Sequence, residues 1–134
     1  MRIAVGYLRS DEGRAALEAA IAEVEQRGGT LVIVHSMRGG ERDEAEVVHE
    51  YDRALEAVTD DLAARGVPHE VKRYARGGSP AEDLLQTAHD EDVDLLVIGI
   101  RRRSPVGKLL LGSNSQDIIL QADCPVLAVK PPRD

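Results

Sequence analysis

The sequence predicts an α/β fold in which five parallel strands alternate with four helices. Along the 134 residues the apolar pattern switches repeatedly between short continuous or alternating runs and a 3.6-residue period. The switches come in the order β-α-β-α-β-α-β-α-β, which argues for a parallel sheet with helices on both faces. The fourth strand candidate is apolar at nearly every position, as a strand covered on both sides must be. With the strand order 3-2-1-4-5 common to such folds, a ligand crevice lies beyond the carboxyl ends of the first and fourth strands.

Ile3 to Tyr7 is a short apolar run and the first strand. Ser10 caps the helix that follows, with Asp11 and Glu12 in its first turn, where negative charge suits the helix dipole. Leu17, Ala20, Ile21 and Val24 share one face of it, and Gly28-Gly29 ends it. Thr30 to Val34 is a β-branched second strand. After a charged stretch from Arg38 to Glu46, a stripe of Val47, Tyr51, Leu55, Val58 and Leu62 marks the second helix, stopped by Gly66 and Pro68. His69 to Tyr74 alternates and is more polar, which suits an edge strand. Ser79 and Glu82 form a capping box with Pro80 at the first helical position, and Leu84, Leu85 and Ala88 face inward. Val93 to Ile98 is the fourth strand. The last helix begins near Ser113, where Ser113 and Gln116 make a second capping-box candidate and Ile118, Ile119 and Ala122 an apolar face. Pro125 to Val129 is the last strand.

The chain reads as one domain over residues 1–134. Its net charge of −7 disfavours nucleic acid as a partner, because a phosphate backbone needs a basic face. A single cysteine excludes an internal disulfide framework and fits a reducing cytosol. No apolar run reaches membrane or signal-peptide length, so a soluble cytoplasmic protein with no membrane partner is expected. Trp and Phe are absent, leaving Leu, Ile, Val and Ala to build the core.

The segment from Gly99 to Ser115 holds the chemistry. A glycine leaving a buried strand, followed by Gly112, Ser113, Asn114 and Ser115 opening a helix, is a pattern that presents backbone N–H groups to a phosphate. The alternative is an ordinary turn and helix cap. Gly107-Lys108 is not a Walker-type loop, because Arg102 and Leu109 stand where that pattern needs glycine and Ser or Thr. Arg101, Arg102 and Arg103 either reach ligand phosphates or pair with the acidic run Asp90, Glu91, Asp92 and Asp94. The four histidines lack metal-ligand spacing, and no nucleophile and base are placed together. His35, at a strand end, reads as a hydrogen-bonded structural residue, and Cys124 as packed and inert.

With these residues in place, the whole chain resembles the universal stress proteins of the small single-domain kind. The resemblance rests on the element order, on the closing Cys-Pro-Val-Leu-Ala-Val-Lys segment, and on the family motif of glycine, two residues, glycine, nine residues, glycine, then Ser or Thr. Gly99 and Gly112-Ser113 match it, and Arg102 replaces the middle glycine. The resemblance implies a Rossmann-like (adenine nucleotide alpha hydrolase-like) three-layer sandwich. It also implies a homodimer through the last strand, here Val126, Leu127, Ala128 and Val129, and either ATP or AMP as ligand, with or without magnesium, or no nucleotide at all. In nucleotide binders of the family, the positions of Gly99, Gly112, Ser113, Asn114 and Ser115 surround the phosphates and ribose. Those of Gly6, Tyr7 and Leu8 meet adenine and ribose, and that of Ser36 touches adenine through its backbone. Arg101 and Arg102 are the cations that would add charge to such a site. Leu8 departs from the family's aspartate and cannot accept a hydrogen bond. Arg102 would either lean over the phosphates or block them. Three functions follow: a nucleotide-binding regulatory module in stress response, an interaction protein without nucleotide, and a slow ATP hydrolase, the last with no residue evidently placed to activate water.

Overall fold

The computed structural model describes residues 1–36, 45–74, 79–101 and 112–132. The elements are β1 (Arg2–Gly6), α1 (Asp11–Arg27), β2 (Thr30–Ser36), α2 (Ala45–Ala64), β3 (His69–Tyr74), α3 (Pro80–Asp90), β4 (Leu95–Gly99), α4 (Ser113–Gln121) and β5 (Val126–Val129). They form one five-stranded sheet in the order β3-β2-β1-β4-β5. Every pairing is parallel, with Ile3 opposite both Leu31 and Leu95 and Val97 opposite Leu127. The expected order 3-2-1-4-5 is the observed one.

Strand alternation splits the core in two. Ile3, Val5, Leu31, Ile33 and Val97 pack on one side with α1 and with Leu55 and Leu62 of α2. Ala4, Val32, Val34, Leu96 and Ile98 pack on the other with α3 and α4. Tyr51 and Val58 complete the α2 stripe as half-buried residues, while the side chain of Val47 lies outside the described residues. Arg2 ties the amino end of the sheet together, its guanidinium 3.0 Å from Glu70 and 2.9 Å from Glu91.

Several boundaries differ from the sequence expectation. β1 ends at Gly6 rather than Tyr7, and β2 extends through Ser36. β4 runs from Leu95 to Gly99, leaving Val93 buried in the preceding turn, where its N–H donates to the Ala88 carbonyl. Both proposed caps of α1 and α3 form: Gly13 N donates to Ser10 Oγ at 3.1 Å, and Ser79 and Glu82 exchange two bonds. The capping box at Ser113 does not. α4 starts one residue earlier, with Gly112 as N-cap and its carbonyl accepting from Gln116 N, so Ser113 is already the first helical residue. Ile119 is also off the core face. At 100° per residue it points away from Ile118 and is 42% exposed, against 5% for Ile118.

Candidate functional site

The carboxyl ends of β1, β2 and β4 open into a crevice of about 380 Å³ between the starts of α1, α3 and α4. That volume lies in the range of roughly 300–1,000 Å³ usual for small-molecule sites. Of the residues expected there, Gly6, Tyr7, Leu8, Ser36, Gly99, Arg101, Asn114 and Ser115 line it. Gly112 and Ser113 stand exposed at the start of α4, next to the two lining residues of that helix. Arg102, with Arg103 and the rest of residues 102–111, lies outside the described residues.

Two glycines let the walls approach each other. A Cβ on Gly99 would overlap the carbonyl oxygen of Glu12, and one on Gly13 would meet Leu8 Cβ and O at 2.6 Å. The first turn of α1 therefore rests directly on the end of β4 and on the loop leaving β1. Gly99, expected to serve a phosphate, is needed in this structure by its neighbour α1. Gly112 is different: its φ of −70° suits any residue, and a Cβ there would meet nothing within 4 Å among the described residues.

The close approach at Gly99 has an electrostatic result. Glu12 meets Arg101, with Arg101 Nε 3.2 Å from Glu12 Oε2. Arg101 therefore pairs neither with Asp90 nor with its acidic neighbours. Glu91 instead takes Arg2 and Lys72, at 2.9 and 3.3 Å, and Asp94 accepts from the backbone N–H of Arg2.

On the α2 side the wall is aromatic. Tyr7 stands edge-on to His35 and to Tyr51, with ring centroids 5.7 and 5.9 Å apart, and His35 stacks on Tyr51 with the planes 11° from parallel. The Arg9 guanidinium lies over the Tyr51 ring at 5.3 Å from its centroid. Burial pushes the Tyr7 hydroxyl above its usual pKa, and the nearby Arg9 charge partly opposes this. Burial, helped by the Arg73 charge and opposed by Asp52, pushes His35 below the usual histidine range, so the fold favours the neutral imidazole. The expected hydrogen bond of His35 is missing at Nδ1, which is buried and has no partner among the described residues. β2 carries the residue inward before the strand ends, against the rings of Tyr7 and Tyr51.

α4 opens on this crevice with no side-chain cap and no acidic residue in its first turn. Its leading N–H groups and its partial positive charge are thus left over by the described structure. Sequence reasoning missed Glu12 and Tyr51 as crevice residues. Glu12 reads as a helix-dipole residue and Tyr51 as part of an apolar stripe, and only their approach across the chain gives them a second role.

Among the described residues no group of three or more metal-ligating side chains occurs, and no helix is long and apolar enough to cross a membrane. The family model described as the universal stress protein family matches residues 1–130. A universal stress protein of Mycolicibacterium smegmatis is 42% identical over 131 residues, spanning 96% of this chain and 97% of the relative. A solved universal stress protein from Archaeoglobus fulgidus superposes with a TM-score of 0.80 at 36% identity, covering 97% of this chain and 98% of that one. A second from that organism, in complex with dAMP, gives 0.74 at 30% identity over the same shares.

Proposed function

The chain belongs to the universal stress protein family, and from that premise we propose that its crevice binds an adenine nucleotide, ATP or AMP, as a regulatory module in stress response. The observation that carries this reading is the start of α4. A helix whose first-turn N–H groups lack, among the described residues, both a side-chain cap and a neutralising acid opens on a cavity of ligand size. The dAMP complex of a relative 30% identical to this chain supports the same ligand class. In this reading Asn114 and Ser115 present backbone and side-chain donors to phosphate, with Gly112 and Ser113 at the helix start beside them. Gly6, Tyr7, Leu8 and Ser36 form the base and ribose end. Gly99 admits α1, and Arg101 and Arg102 supply positive charge. Magnesium would enter with the phosphates.

The action is occupancy rather than covalent change: a ligand bound only by the folded state stabilises it by about 2.7 kcal/mol at 100 times its Kd. We further propose a cytoplasmic homodimer through Val126, Leu127, Ala128 and Val129. β5 is an edge of the sheet, and an unpaired apolar edge is a hazard unless covered. Light scattering showing a monomer at micromolar concentration would count against the dimer.

Leu8 favours the second reading, an interaction protein without nucleotide. It lines the crevice and is 46% exposed, yet its side chain offers a base or ribose no acceptor. A melting-temperature titration separates the two. Binding raises the midpoint by several degrees at millimolar ATP, and Gly112→Val, which adds a branched side chain where phosphate is proposed, removes the shift. No shift with ATP or AMP, and no nucleotide released on denaturing the purified protein, would leave the second reading.

A further inference from the structure

We propose that Glu12 is a specificity-determining residue of the crevice, one that lowers affinity for each phosphate added to the nucleotide. This rests on the adenine-nucleotide reading above. Glu12 is the one carboxylate among the described residues that line the cavity, where Arg9 and Arg101 are the described cations. Its side chain is 17% exposed, and that of its partner Arg101 is 57% exposed.

Glu12 is also held in place. Its backbone lies where a Cβ of residue 99 would be, so α1 sits against the end of β4 with no room to withdraw toward it. From there the carboxylate acts twice. It repels negative charge entering the crevice, and it occupies Nε of Arg101, which would otherwise be free to turn to a phosphate. Arg9 is less committed, lying over Tyr51 with Glu50 as its ion-pair partner at 3.9 Å.

An uncharged base and ribose feel neither effect. A monophosphate feels them weakly, and a triphosphate, carrying about two more charges near neutral pH, feels them most. The expected discrimination between AMP and ATP is on the order of tenfold at physiological salt.

The test is calorimetric titration of adenosine, AMP and ATP into the full chain and into Glu12→Gln, with the melting temperature of each free protein measured alongside. The expected result is that the variant gains about tenfold more affinity for ATP than for AMP, on the order stated above, and is unchanged for adenosine. Glu12→Ala, which also removes the acceptor facing Arg101, shows the same ordering and serves if the glutamine variant fails to fold. An equal change for all three ligands overturns the proposal, as does weaker ATP binding by the variant, which would mean that Glu12 merely holds Arg101 in position. Those results leave the nucleotide reading intact. If the unaltered protein binds none of the three, both readings fall.

Discussion

Two helices begin at the same crevice and begin differently. α1 has Ser10 as a working cap, followed by Asp11 and Glu12, so its leading N–H groups and its positive end are largely answered within the chain. α4 has Gly112 where a cap would be and no acid in its first turn. α3, whose first residues Pro80 and Ala81 also line the crevice, resembles α1, with a full capping box and Glu82 and Asp83 behind it. A protein usually satisfies a helix start locally, because unpaired donors cost free energy when water is excluded. Among the described residues, the one start of the three left without a side-chain answer is the one proposed to receive the ligand.

The comparison can be broken first at the packing that holds α1. Gly99→Val forces atoms into the Glu12 carbonyl and should cost about 3 kcal/mol of unfolding free energy, read from the urea midpoint. An unchanged midpoint would mean the glycine does not serve this approach. Ser10→Ala removes the α1 cap and should cost about 1 kcal/mol, and Ser79→Ala a similar amount at α3. Supplying α4 with what the others have sharpens the contrast. Gly112→Asp fits the φ of −70° and meets nothing among the described residues, and should stabilise the free protein by a few tenths of a kcal/mol. The same change places a carboxylate where phosphate is proposed, so the ATP-induced shift in melting temperature should shrink or vanish while the free protein melts slightly later. The smallest effect is expected for Ser113→Ala. No cap bond is lost there, and stability should stay within about 0.5 kcal/mol. A loss as large as that of Ser10→Ala would show that the two helix starts are alike after all.

How far the chain could be read in advance varies with the range of the interaction. The caps at Ser10 and Ser79 were legible because donor and acceptor lie three residues apart. The reading failed at Ser113, where two adjacent residues, Gly112 and Ser113, are both acceptable caps and local pattern does not choose between them. Ile119 was misplaced for a related reason: two neighbouring isoleucines compete for one buried position, and packing against the sheet admits Ile118. A cavity lies at the ends of β1 and β4, where strand order places a crevice. Its charges were not legible in advance. Glu12 and Arg101 are 89 residues apart, and nothing local announces their pairing.

Periodicity and turn residues sufficed for the element order and the parallel sheet, because each is a repeated or short-range property of the chain, and the family rested on a resemblance in the Gly99 to Ser113 motif and the closing segment. The tertiary structure alone decided that Gly99 serves α1, that Glu12 pairs with Arg101, and that His35 lies against two tyrosine rings with its Nδ1 unpaired among the described residues. Those outcomes depend on which surfaces come within a few ångströms once the sheet forms. Side chains remote in sequence then share a space too small for water to keep them independent.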